Sequence, residues 1–243
     1  MNPQIAPHNL VCTVPQIMDI ELAKSKVPFF ESNGDVAKYF VETLKKAFST
    51  HLAEPLDRTS AKRLETKFRS ISKKEIVKRG FQKFWLRNYA QALEGFNFNS
   101  AFSFQQIFQP KIYVKKGSRN CQVILHIPAF VPSESLIFPE EATNFKIKAY
   151  LIGVSDLNYN SKENKLGPSK SLFHGKSTLK ESAMLPIIRI PVDPFTTLLS
   201  LCADDVSENT SMMLVLSIFY YKKDSGRFKE LKKQGAMHIE KVL

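Results

Sequence analysis

The sequence predicts an α+β protein: a helical, basic N-terminal region followed by an antiparallel immunoglobulin-like β-sandwich. Three observations lead there. Up to about residue 95, apolar residues recur at spacings of three and four. Beyond it they alternate with period two and are punctuated by turn-rich strings. The composition, 43% apolar and 24% charged over 243 residues, supports a packed core.

Residues 1–95 form the helical part of this plan, and 1–33 are read as an irregular arm because Pro3, Pro7, Pro15 and Pro28 interrupt them. A helix is expected from Asn33 to Ala53, with Asn33 or Asp35 as cap and Val36, Tyr39, Phe40, Leu44, Ala47 and Phe48 on one face. A second is expected from Thr59, because Ala61, Leu64, Phe68 and Ile71 make one stripe. Ser72 offers the cap of a third, short helix reaching Lys78, and Gly80 interrupts it.

Residues 96–243 form the β part. The strings FNFN and FSFQ alternate from Phe96 onward. Lys111 to Lys115 and Cys121 to Ile127 read as two strands joined by KGSRN. Phe145 to Gly153 alternates again, 156–184 reads as polar loop, and Leu185 to Pro191 reads as a strand limited by proline. Met212 to Tyr221 is apolar on both faces, as a central strand must be. The turn at 223–226 then leads to one or two closing strands in 227–243.

The positive charge is concentrated. The net charge is +12, and residues 58–87 hold eleven basic side chains against Glu65 and Glu75. A basic amphipathic helix of this kind suits an acidic protein surface, a nucleic-acid backbone, or a solvated face whose lysine stems cover apolar surface. Its apolar stripe is short for a membrane surface. The expected contact residues are Arg58, Lys62, Arg63, Lys67, Arg69, Lys73, Lys74, Lys78 and Arg79, with the loop at 156–184 as a second contact. Nine aromatics in 81–108 follow the basic stretch. Their main expected role is to join the helical part to the sheets.

No standard catalytic spacing stands out. Gly175-Lys176-Ser177-Thr178 resembles the end of a phosphate-binding loop, but Lys170 occupies the place of its first glycine. The five histidines show no metal spacing, and Glu140-Glu141 and Asp204-Asp205 are adjacent pairs that point apart on a strand. Cys12, Cys121 and Cys202 form no CxxC pair, and no leader pattern opens the chain, so free thiols in the cytoplasm are expected. No catalytic, cofactor or metal residue is assigned. The expected function is a non-enzymatic protein-binding or assembly module. The alternative is nucleic-acid binding through 58–87.

Several strings taken together resemble a family of Bacteroidota proteins with no assigned activity. They are Leu93-Glu94-Gly95-Phe96-Asn97-Phe98-Asn99, Ile127-Pro128-Ala129-Phe130 with Pro132, Ala142-Thr143 with Phe145 and Ile147, and Phe219-Tyr220-Tyr221 before a hairpin. The resemblance covers roughly 58–243 and implies a basic N-terminal region, a LEGFxFN junction and a C-terminal β domain. It carries no functional residue.

Overall fold

The computed structural model describes residues 33–49, 57–76, 83–160, 165–169, 173–201 and 210–243. It is α+β, with helices first and antiparallel sheets after them. Apart from Asn33, the expected arm lies outside the described residues, as do Gly80, Cys12, Cys202 and Asp204-Asp205.

Two helices come first, α1 (Asn33–Ser49) and α2 (Ser60–Ile76). The predicted stripes are the buried ones: Val36, Phe40, Leu44 and Phe48 of α1, and Leu64, Phe68 and Ile71 of α2. Phe40 stacks on Phe68 with centroids 4.9 Å apart, which fastens the helices together. The expected break at Ser72 is absent. α2 runs on to Ile76, and the Ser72 hydroxyl donates back to the Arg69 carbonyl instead of capping a new helix.

Among the described residues twelve strands follow: β1 (Lys83–Phe84), β2 (Tyr113–Lys116), β3 (Gln122–Ile127), β4 (Asn144–Ser155), β5 (Leu157–Asn160), β6 (Lys165–Pro168), β7 (Ser177–Glu181), β8 (Leu185–Pro186), β9 (Phe195–Ser200), β10 (Thr210–Asp224), β11 (Arg227–Glu230) and β12 (Ala236–Val242). β10 is central. One of its edges pairs with β4, and the other is shared by β12 and β11 in succession. β7 and β8 divide the far edge of β4. A second sheet has the order β2-β3-β9, and a small third one the order β1-β5-β6.

The large sheet is apolar on both faces because it is covered on both. Phe145, Ile147, Ala149 and Leu151 of β4, with Leu214, Leu216 and Ile218 of β10, share a core with Val123, Leu125 and Ile127 of β3. The alternate residues Tyr150 and Ile152, Met213 and Val215, and Met237 and Ile239 of β12 form a second core with α1 and α2. The molecule is therefore three layers, three-stranded sheet on large sheet on helices. Each buried Val, Leu or Ile contributes about 1.5–3 kcal/mol.

Four expectations are corrected. FNFN and FSFQ do not make a strand: only Asn97 bridges to His238, and Phe104–Ile107 is a helical turn. Phe98 and Phe104 are buried nonetheless, so a single buried ring every few residues imitated a strand pattern. The 156–184 stretch contains β5, β6 and β7. The strand expected at Leu185–Pro191 ends at Pro186. β9, whose alternate residues are exposed, carried too little apolar signal to be expected at all.

Candidate functional site

Asp57 begins the site. One carboxylate oxygen accepts the Thr59 amide at 2.8 Å and its hydroxyl at 2.9 Å. The other accepts the Ser100 amide at 2.7 Å and the Arg63 guanidinium at 2.8 Å. Burial works against the charge, but the hydrogen bonds from Ser100, Thr59 and Arg63 outweigh it and hold this carboxyl well below the usual range. Arg63 also donates to the carbonyls of Asn97, at 2.8 Å, and Phe98, at 3.2 Å, and lies over the Phe96 ring. Arg63 is thus committed to holding α2 on the LEGFxFN junction. Of the residues expected as contacts, it is one that already has partners within the chain.

Arg69 is engaged as well, at 2.6 Å from Glu65 one turn earlier, although about half of its side chain is exposed. Arg58, Lys62, Lys67 and Lys73 are exposed and have no ion pair among the described residues. The side chain of Lys74, and the whole of Lys78 and Arg79, lie outside the described residues. Lys62, Arg69 and Lys73 are seven and four residues apart and share one line of the helix, about 17 Å from end to end.

Beside this line lies a cleft of about 280 Å³ between α2 and the 86–92 turn. Lys67, Ser70, Asn88 and Gln91 supply its polar lining, with Ile71 and Tyr89 as apolar walls. Asn88 and Gln91 were not expected as site residues, because only the fold brings them to Lys67.

Three polar groups, Asp156 and His238 buried and His174 half-buried, lie elsewhere. The Thr43 hydroxyl donates to the Tyr39 carbonyl, so it accepts from His174 Nε2 at 3.1 Å. The other ring nitrogen then accepts the Ser155 amide at 3.2 Å and the Tyr39 hydroxyl at 3.0 Å. Burial, aided by the positive charge of Lys46, pushes the His174 imidazole down to about 4. Asp156 is fully buried. One oxygen accepts the Leu86 amide and the Ser211 hydroxyl, and the other has no hydrogen-bond partner among the described residues. Burial raises its carboxyl above the ordinary value. His238 stacks on Phe104 and sits between the Gln105 amide, at 2.9 Å, and Glu240, at 3.1 Å. Each group ties one segment to another: α1 to β4, the 86–92 turn to β10, and the 97–107 segment to β12.

The phosphate-loop resemblance ends with the geometry. Gly175, at φ 69°, closes a turn onto Gly153, and Ser177 opens a strand where a phosphate loop needs a helix. His126 is half-buried, hydrogen-bonded to Thr196 across β3 and β9. Glu140 and Glu141 are exposed in a turn. Among the described residues no three His, Cys, Asp or Glu side chains cluster as a metal site would need. No described helix is long and apolar enough to cross a membrane.

Comparison with known proteins finds no matching family, no similar curated protein and no similar solved structure.

Proposed function

We propose that the chain is a non-enzymatic binding module that docks an anionic macromolecule on the open side of α2. One observation carries this. The apolar stripe of α2 is buried in the core it shares with α1, while Arg58, Lys62, Lys67 and Lys73 face solvent with no ion pair among the described residues. The adjoining cleft, at about 280 Å³, lies at the low end of pocket sizes, and Lys67 on its wall offers a charge to a phosphate or a carboxylate side chain.

The scaffold we propose is an immunoglobulin-like sandwich. With β2, β3, β4, β7, β9, β10 and the β11–β12 edge taken as seven successive strands, the sheets have the orders 1-2-5 and 7-6-3-4. The sixth strand then lies between the third and the seventh, as in immunoglobulin-like folds. Such a scaffold holds a docking helix rigidly and leaves the choice of partner to the surface.

The test is a salt-titrated binding assay with single- and double-stranded oligonucleotides and a polyglutamate peptide. Arg58→Gln, Lys62→Gln, Lys67→Gln and Lys73→Gln combined should weaken binding of at least one polyanion tenfold or more. For a nucleic acid the salt slope should also fall by about 0.7–0.9 for every phosphate that the variant no longer neutralises. No binding at low salt, or equal binding by the variant, overturns the proposal.

A further inference from the structure

A second cationic surface lies far from α2 in sequence. β10 and β11 run on past the last core residue, and all side chains from Lys222 to Lys229 are exposed. Ser225 and Gly226 turn the chain with φ of 47° and 81°, the geometry whose twist matches a two-residue hairpin. Residues 222–233 hold six basic side chains against Asp224 and Glu230.

The register of this finger works against its own stability. Lys222 stands directly opposite Lys229, and like charges so placed are destabilising. Lys222 has Glu141 at 3.6 Å, whereas Lys229 has no ion pair among the described residues. Phe228, opposite Lys223, is 45% exposed, and the lysine ammonium lies 6.0 Å from its ring centroid. Much of an aromatic ring is left open on a cationic finger that projects beyond either core.

The finger and α2 open to the same side. Met213 and Val215 face the helices, so by alternation Lys223, and with it Phe228, lies on the helix-bearing face of the large sheet. The two surfaces are joined through 97–100. Arg63 of α2 holds the Asn97 and Phe98 carbonyls, and the Asn99 amide donates to the carbonyls of Lys233, at 3.3 Å, and Gly235, at 2.9 Å.

We infer that the hairpin is a base-stacking finger and that the anionic partner is a single-stranded nucleic acid. Phe228 is the stacking platform, and Lys223 beside it, with Lys232 and Lys233 after the hairpin, guides the phosphates toward α2. The partner class follows from the ring: every base has a face to stack, and that face is open only where the base is unpaired. A lipid surface fits less well, because one ring without apolar neighbours on the finger buries little area. This inference rests on the binding reading of α2 and names its partner.

The experiment uses the full chain with a fluorescein-labelled oligo(dT) 20-mer, a 20-base-pair duplex and phosphatidylserine vesicles. Phe228→Ala should weaken oligo(dT) binding about five- to a hundredfold, the range expected when one base stack is removed, and leave duplex binding unchanged. Phe228→Trp should retain the affinity, and its fluorescence should be quenched on binding. Phe228 is outside both cores, so the variants should keep the wild-type thermal transition. Unchanged oligo(dT) affinity in Phe228→Ala, or an equal loss on duplex, overturns the inference. So does a loss confined to vesicles, which would make the finger a lipid contact. Should the α2 variant lose oligo(dT) binding while Phe228→Ala does not, the α2 reading stands and this one falls. Should the wild type bind no polyanion, both fall.

Discussion

Asp156 shows how a single side chain can be both anchor and liability. Its satisfied oxygen holds the Leu86 amide and the Ser211 hydroxyl. Its other oxygen is buried with no partner among the described residues, a position that disfavours the ionised form. The folded-state pKa is raised, so the folded protein binds this proton more tightly than the unfolded chain does. The stability it contributes is present at low pH and is lost as pH rises through the folded value. Asp156→Asn keeps an acceptor and removes the charge. The variant should therefore melt higher than the wild type at pH 8, and the gap should close toward pH 4. Thermal melts across that range would show it, and a constant gap would rule out the ionisation as its cause.

At the scale of the element, α2 divides its basic residues between holding and binding. Arg63 is bound to Asp57 and the junction carbonyls, while Lys62 next to it is open. Asp57→Ala removes the acceptor at the start of α2 and leaves the Arg63 charge without its partner. It should cost about 1–2 kcal/mol, read as a lower denaturation midpoint at an unchanged slope. A loss below about 0.3 kcal/mol would mean that the cap is dispensable. The stripe of α2 was legible in the sequence because burial imposes its own period. The split among the cations was not, because Asn97, Phe98 and Ser100, which set it, are more than thirty residues away. The same holds for β9, whose pairing with β3 supplies what its own composition does not announce.

Across the whole molecule, the strand assignments that succeeded are those of β2, β3, β4, β10 and the closing β11 and β12, and β3, β4 and β10 are the ones that the cores demand most. The basic surface was legible only in its α2 half. The hairpin half needed the register of β10 and β11, and the continuity of the two needed the 97–100 segment. The layers also share a pH dependence through His174, which joins α1 to β4. Its folded value of about 4 lies below the ordinary 6.5. The unfolded chain therefore takes up the proton more readily. Stability from this group is fully present above pH 6.5 and is lost as pH falls toward 4. The melting temperature should drop over that interval, and His174→Gln, which cannot take up this proton, should flatten the drop. A wild-type profile that is level between pH 6.5 and 4 would contradict the sign.

The three-layer arrangement also fixes an order of events at the ribosome. α1 and α2 are synthesised early, yet the sheet face that covers them is completed by β10 and β12, ending at Val242. At about 5–20 residues per second, the apolar sides of Phe40 and Phe68 wait roughly ten to forty seconds for the last of the strands that bury them. During that interval the two amphipathic helices can cover each other only in part, through contacts such as Phe40 on Phe68. Cellular yield should therefore respond to chaperone supply more sharply than the stability of the finished protein would suggest.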